Sequence, residues 1–282
     1  NKVYGVSRFS DPAARDNLEY LGVITIACDL LDDNALQELP EVTNIIYLAG
    51  HKFGTTGNED FTWVMNTYLP GRVAQKFKNA RIVAFSSGNV LPFVPLNAGG
   101  VDEDATPEPI GEYAQSCLGR ERIFEYFSKT NKTKVLVYRL NYAVDFRYGV
   151  VMEIGKAVLN EQPIDLSSEN VNVIWQSDAN EIAIRSLLHV QTPAKVLNVT
   201  GPETLSVSWV AKEFAKIFKK SPVFINQSQG TALLNNASAC HQLFGYPRVT
   251  IREIIEINAQ WLLQGGDLLD KPTHFQERGG KF

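Results

Sequence analysis

Five short apolar runs punctuate the first half of the chain, at residues 3–6, 24–26, 42–48, 81–85 and 134–138. Their apolar positions are consecutive rather than alternating, the pattern of strands covered on both faces in a parallel sheet. Stretches with helical spacing lie between them, at 12–20, 60–77 and 113–129. The first opens with Asp11 as a candidate N-cap and Pro12 at the first helical position. In the third, Cys117, Phe124 and Phe127 fall near the face that carries Tyr113. Strand and helix alternating in this way predict an α/β protein with a doubly wound parallel sheet.

Beyond residue 142 the alternation loosens. Helices are predicted over 149–160, 178–189, 206–219 and 250–263, the third capped by Ser206 or Ser208 and the last ending before Gly265-Gly266. Short strands are predicted at 172–175 and 196–199. Residues 272–282 are polar and read as a surface tail.

Composition narrows the function. The 282 residues allow one large or two modest domains, and 44% hydrophobic with 21% charged residues is ordinary globular material. A net charge of −4 without a long basic run argues against nucleic acid as a partner. No apolar run approaches the ~18 residues of a membrane span, and the opening residues carry no signal-peptide pattern. Cys28, Cys117 and Cys240 are too scattered for a disulfide framework, so a reducing, cytoplasmic location is expected. The four histidines lack paired ligand spacing, so no metal is expected. Four Asn-x-Ser/Thr triplets, at Asn131, Asn198, Asn226 and Asn236, read as chance matches.

Candidate chemistry gathers after the predicted strands. Ser7-Arg8 follows the first, Asp29-Leu30 the second, Leu48-Ala49-Gly50-His51-Lys52 the third, Ser86-Ser87-Gly88-Asn89-Val90 the fourth, and Asn141-Tyr142 the fifth. Tyr113-x-x-x-Cys117 opens the helix behind Ser87. Together these segments resemble the extended short-chain dehydrogenase/reductases, the NAD-dependent epimerases and dehydratases of nucleotide sugars, over nearly the whole chain. The resemblance implies a Rossmann-like dinucleotide-binding domain of residues 1–142 plus about 171–200, and a smaller C-terminal α+β substrate lobe of about 143–170 plus 201–282. The family's opening strand and Gly-rich turn have no counterpart here. About 30 further residues, the scale of a βαβ opening, are therefore expected upstream.

The resemblance also implies roles. Ser87 matches the catalytic Ser/Thr that bonds the substrate oxygen, and Tyr113 the proton-transfer tyrosine. Ser7 and Arg8 stand where an acidic residue would bond the ribose of NAD; with Arg8 there, NADP is favoured over NAD, unless Arg8 is an ordinary surface residue. Asp29 with Leu30 matches an adenine contact or a solvated turn. Leu48, Ala49 and Gly50 match a small-residue turn that lets the backbone approach the cofactor, with Lys52 on a position that relatives use. Asn66 matches an Asn that pins this turn, or is a helix-surface residue. Asn141 borders nicotinamide, while His51, Asn89, Tyr142, Arg147 and Trp175 are candidate substrate contacts; Arg147 and Trp175 serve equally well as packing residues. A homodimer through the helices at 60–77 and 113–129 is the usual assembly of relatives.

Cys117 is the departure, because the family carries Lys at this fourth position. A free tyrosine has a pKa of ~10, too high for a base near neutral pH, and a nearby cation lowers it by about 1–3 units. A thiol supplies no such field. Cys117 reads as a small core residue or as a reactive thiol without an evident His partner. Three accounts follow. Lys52, His51 or oxidised nicotinamide replaces the missing cation; or the protein binds a dinucleotide or sugar nucleotide without turnover; or it is a structural partner.

Overall fold

The computed structural model describes residues 2–281, so Asn1 and Phe282, the ends of the predicted first domain and tail, lie outside the described residues. Six parallel strands carry the architecture: β1 (Tyr4–Ser7), β2 (Ile24–Ala27), β3 (Asn44–Tyr47), β4 (Arg81–Ser87), β5 (Lys134–Leu140) and β6 (Lys195–Val199). The last four form one sheet in the order β3-β4-β5-β6. Ser87 is level with Leu140, and Leu140 with Val199, so the residues that follow these strands emerge along one rim.

Among the described residues ten α-helices surround the strands: α1 (Pro12–Tyr20), α2 (Asp33–Glu38), α3 (Glu59–Trp63), α4 (Leu69–Lys76), α5 (Gly111–Asn131), α6 (Val150–Leu159), α7 (Gln176–Ser186), α8 (Val207–Phe218), α9 (Ser238–Phe244) and α10 (Ile251–Leu263). Residues from α4 and α5 cover one face of the sheet around Ile82, Ala84, Val135 and Val137. On the other face, Val83, Leu136, Tyr138 and Leu197 pack against α7 and α9. A separate core joins α6, α8 and α10 around Phe214. Consecutive apolar residues in β4 and β5 thus have cover on both sides, which is why those strands lack alternation.

Several expectations change. The sheet is not continuous: β1 and β2 pair only with each other, and among the described residues no ladder joins β1 to β3. This corner is held mainly by backbone pairing, for α1 buries none of its side chains, and Tyr20 and Leu21 are 91% and 74% exposed. The predicted helix at 60–77 is three pieces, with a π-helical turn over Val64–Tyr68 between α3 and α4. Pro70 explains the break, since a proline cannot donate to the carbonyl four residues back, here that of Asn66. Of the predicted strand at 172–175 only Ile174–Trp175 is strand, paired with Ala143–Val144, while a separate short strand, Asn170–Val171, precedes it and pairs with Leu205–Ser206. The tail is no loose surface segment: Thr273 and Phe275 are buried, and Phe275 joins the core of the C-terminal helices.

Candidate active site

Tyr113, Cys117 and Ser87 meet at the rim of β4. Ser87 ends the strand, and its Oγ accepts the Asn89 N–H at 3.2 Å as the chain enters a single 3₁₀ turn. Gly88 at that turn has no space for a side chain, because a Cβ would lie 2.6 Å from Asn141 Oδ1. Tyr113, in the first turn of α5, is buried and hydrogen-bonds both Ser87 and Cys117. Burial pushes the Tyr113 phenol well above the usual tyrosine range and Cys117 adds to this, while Arg120 and Ser87 pull it down. Burial likewise raises the Cys117 thiol, with Arg120 the leading influence in the other direction. The cysteine is 1% exposed and packs with Val90, Leu91 and Tyr113. This cover makes it a core residue at the site, inaccessible to bulk reagents.

Asn66 lies in the π turn and organises the loop after β3. Its amide donates to His51 O at 2.9 Å and to Ser116 Oγ at 3.0 Å, while its Oδ1 accepts the His51 N–H at 2.8 Å. Ser116 Oγ in turn donates to Tyr113 O at 2.8 Å. The loop after β3 is thereby tied to the tyrosine helix. Gly50 lies against this junction, and an added Cβ would stand 2.4 Å from Arg120 Nη2 and 2.9 Å from Asn66 Oδ1. The Cβ space at Gly50 is thus occupied by the Arg120 guanidinium and the Asn66 amide, which an added side chain would displace.

The other candidates divide by position. Lys52 Nζ donates to Tyr148 Oη at 2.8 Å, and burial lowers its pKa. His51 Nδ1 is 3.0 Å from Thr62 Oγ1 and its ring meets Phe61 edge-on. Asn89 and Tyr142 line one cavity with His274, Glu277 and Arg278 from the C-terminal segment. Tyr142 adopts φ +41°, a left-handed conformation rare for an aromatic residue. Asn141, next to Tyr142 in the chain, is buried and donates to Asn172 Oδ1 at 2.7 Å. Ser7 ends β1 and Arg8 follows it, both exposed. Asp29 follows β2, exposed, and its Oδ1 accepts the Leu31 N–H at 3.0 Å. Leu30 and Ala49 pack into the core on the α4–α5 face, whereas Leu48 is 65% exposed. Arg147 is exposed and is not among the residues that line the cavity, and Trp175 packs into the core of the C-terminal helices.

Two groups escaped the sequence reading. Arg120 sits seven residues after Tyr113, a spacing that returns to the same helix face and could have revealed it. The C-terminal segment had no local signal, because only tertiary contact brings it to the cavity; Arg278, for instance, stacks 4.1 Å from the Phe93 ring centroid. Among the described residues no group of His, Cys, Asp or Glu could hold a metal ion, and no helix is long and apolar enough to cross a membrane.

No family model and no curated protein matches the sequence. Solved structures do. A UDP-glucuronic acid 4-epimerase from Bacillus cereus, in complex with NAD, is 18% identical with a TM-score of 0.75, covering 93% of this chain and 90% of its own. RMD from Pseudomonas aeruginosa, complexed with NADPH, is 19% identical with a TM-score of 0.75, covering 93% and 99%. A UDP-glucose 4-epimerase from Thermotoga maritima, with UDP-glucose, is 14% identical with a TM-score of 0.77, covering 94% and 91%. Over more than nine-tenths of its length, then, this chain has the Rossmann-like α/β fold of these proteins.

Proposed function

We propose that this protein is an NAD(P)-dependent oxidoreductase, epimerase or dehydratase of the extended short-chain dehydrogenase/reductase family, acting on a nucleotide sugar. The observation that carries the reading is the hydrogen-bonded Ser87–Tyr113 pair at the carboxyl rim of a parallel sheet, where ligands of such folds bind. The fold is shared with proteins solved with NAD, NADPH and UDP-glucose.

The residues fit a dinucleotide at its two ends. Ser7, Arg8 and Asp29 follow β1 and β2, suited to the adenosine side, with Arg8 favouring NADP. Ala49, Gly50, Ser87 and Asn141 follow β3, β4 and β5, suited to the nicotinamide side. The sequence has no Gly-x-x-Gly-x-x-Gly turn for the pyrophosphate. Bound nicotinamide would supply the hydride acceptor and donor. The chain's own part is proton handling. In oxidation the substrate hydroxyl passes its proton to Tyr113 Oη while Ser87 Oγ holds the substrate oxygen; in reduction the Tyr113 phenol returns the proton. Asn89 and Tyr142 border the space where the sugar would lie.

A homodimer fits the apolar groove lined by Trp63, Val64, Tyr68, Gly71, Ile123 and Phe127, with Tyr68 60% exposed. Three free, buried cysteines suit a reducing cytoplasm.

The test is calorimetry with NAD(H) and NADP(H), followed by product analysis with a panel of UDP-, GDP- and dTDP-sugars. Epimerised, oxidised or dehydrated product supports the reading. Binding without product across the panel would leave a catalytically silent binder, and no binding at all would remove both.

A further inference from the structure

Arg120 is a buried cation that makes no ion pair with a carboxylate among the described residues. It is 7% exposed, and each of its hydrogen bonds ends on a neutral oxygen: Nη1 on Phe85 O at 2.8 Å, Nη2 on Asn66 Oδ1 at 2.6 Å and Nε on Asn66 O at 3.3 Å. The Asn66 carbonyl is the one that Pro70 cannot reach. The adjacent carboxylate, Glu121, is committed elsewhere. It takes two hydrogen bonds from Arg139, at 2.9 and 2.8 Å, and one from Ser86 Oγ at 2.6 Å. Removing a positive charge from water without an opposite charge is costly. Besides those oxygens the guanidinium faces the Tyr47 ring, 6.0 Å from its centroid, and it acts electrostatically on the Tyr47 and Tyr113 phenols.

We propose that Arg120 is the positioning residue of the Tyr113 centre, its guanidinium supplying the fixed positive charge that the Tyr-x-x-x-Cys segment lacks at its fourth position. The inference rests on the reading of Tyr113 as the proton-transfer group. Three geometric facts support it. Tyr113, Cys117 and Arg120 lie at i, i+4 and i+7 on α5, along one face. The guanidinium is anchored at Phe85 O, two residues before the Ser87 that bonds Tyr113. Gly50 leaves its Cβ space to that guanidinium, so the loop after β3 is shaped around it.

The other cations are engaged differently. Lys52 donates to Tyr148 and approaches Cys117 from the loop after β3, and Arg139 is neutralised by Glu121. His51 faces Thr62 and Phe61. Of the groups that act on Tyr113, Arg120 is the cation, and Cys117 raises the phenol's pKa where Arg120 lowers it. A cation placed at i+7 rather than i+4 opposes part of the rise that burial and Cys117 impose on the Tyr113 phenol and leaves the i+4 position free for a small buried side chain.

The test places a trifluorotyrosine at position 113, whose phenol is much more acidic than that of tyrosine, and follows its titration by ¹⁹F NMR in the full chain without cofactor or substrate. Arg120→Gln keeps a hydrogen-bond donor and removes the charge; Arg120→Lys keeps the charge and loses the fork. The midpoint should rise by about 1 unit or more in Arg120→Gln, the effect of losing a cation at close range, and stay near wild type in Arg120→Lys. Gly50→Ala, which pushes the guanidinium aside, should raise it as well and serves if Arg120→Gln does not fold. An unchanged midpoint in folded Arg120→Gln, or in Gly50→Ala, overturns the proposal. So does a rise in Arg120→Lys as large as in Arg120→Gln, which would mark a role in packing alone. A midpoint that rises as expected in a protein that turns over no nucleotide sugar upholds the role of Arg120 and removes the enzymatic reading instead.

Discussion

Glu121 and Arg139 are joined by two hydrogen bonds, at 2.9 and 2.8 Å, with side chains 0% and 3% exposed. The pair fastens α5, which carries Tyr113, to β5, which leads into Asn141 and Tyr142. A buried pair of this kind holds geometry more than it adds stability, because desolvation offsets much of the attraction. Breaking it is another matter, since the surviving charge is left in a dry site.

Glu121→Ala should therefore cost about 3–5 kcal/mol. Urea unfolding should show a lower midpoint with an unchanged slope. Arg139→Met alone should be similarly harmful, and the double variant should cost less than the sum of the two. Additive losses would mean that the two side chains act separately.

Tyr113→Phe should lower turnover of the responsive nucleotide sugar by about 10²–10⁴-fold, the usual contribution of a proton-transfer group. Cofactor binding should change little, because the phenyl ring keeps its packing against Val90 and Leu91. Retention of full turnover in Tyr113→Phe would remove Tyr113 from the chemistry.

The raised pKa of the Tyr113 phenol sets the direction of pH dependence. Oxidation needs the phenolate, so its kcat/KM should climb about tenfold per pH unit from neutrality toward the alkaline limit of folding. Reduction uses the protonated phenol, which is fully populated over that range, and should stay nearly flat. The two profiles, measured in buffers of constant ionic strength, check this.

Burial raises the pKa of Glu153, against the hydrogen bonds it accepts from Thr273 N and Oγ1 at 2.5 and 2.7 Å. A carboxyl with a raised folded pKa stabilises most when protonated, below its ordinary value of 4.5, and that stability is lost as pH rises through the folded pKa. Glu153→Gln removes this titration. The difference in Tm between variant and wild type should shift in the variant's favour between pH 4.5 and neutrality. A difference independent of pH would contradict the burial of an ionising carboxyl.

Phe275 anchors the C-terminal segment in the core of α6, α8 and α10 and is 7% exposed. Phe275→Ala should cost about 3–5 kcal/mol, as for other buried aromatic truncations. Hydrogen exchange should quicken in α6, which holds Thr273 through Glu153, before it quickens in β4 and β5. Wild-type exchange throughout would return the segment to the surface.

The chain by itself determined the strand–helix alternation, because β4 and β5 are covered on both faces and must be apolar at successive positions. Ser87 and Tyr113 were legible as candidates through the resemblance of their segments to a known family, Ser87 at a strand end and Tyr113 in the helix behind it. The chain by itself could not reveal the break at the π turn, although Pro70 was visible, because what a freed carbonyl bonds to is settled by another helix. Nor could it show that Gly50 faces Arg120 or that the C-terminal segment reaches the cavity beside Asn89 and Tyr142. Those are contacts between residues far apart in sequence, where side-chain volume and the need to satisfy buried polar groups decide the outcome. Local periodicity carries no record of either.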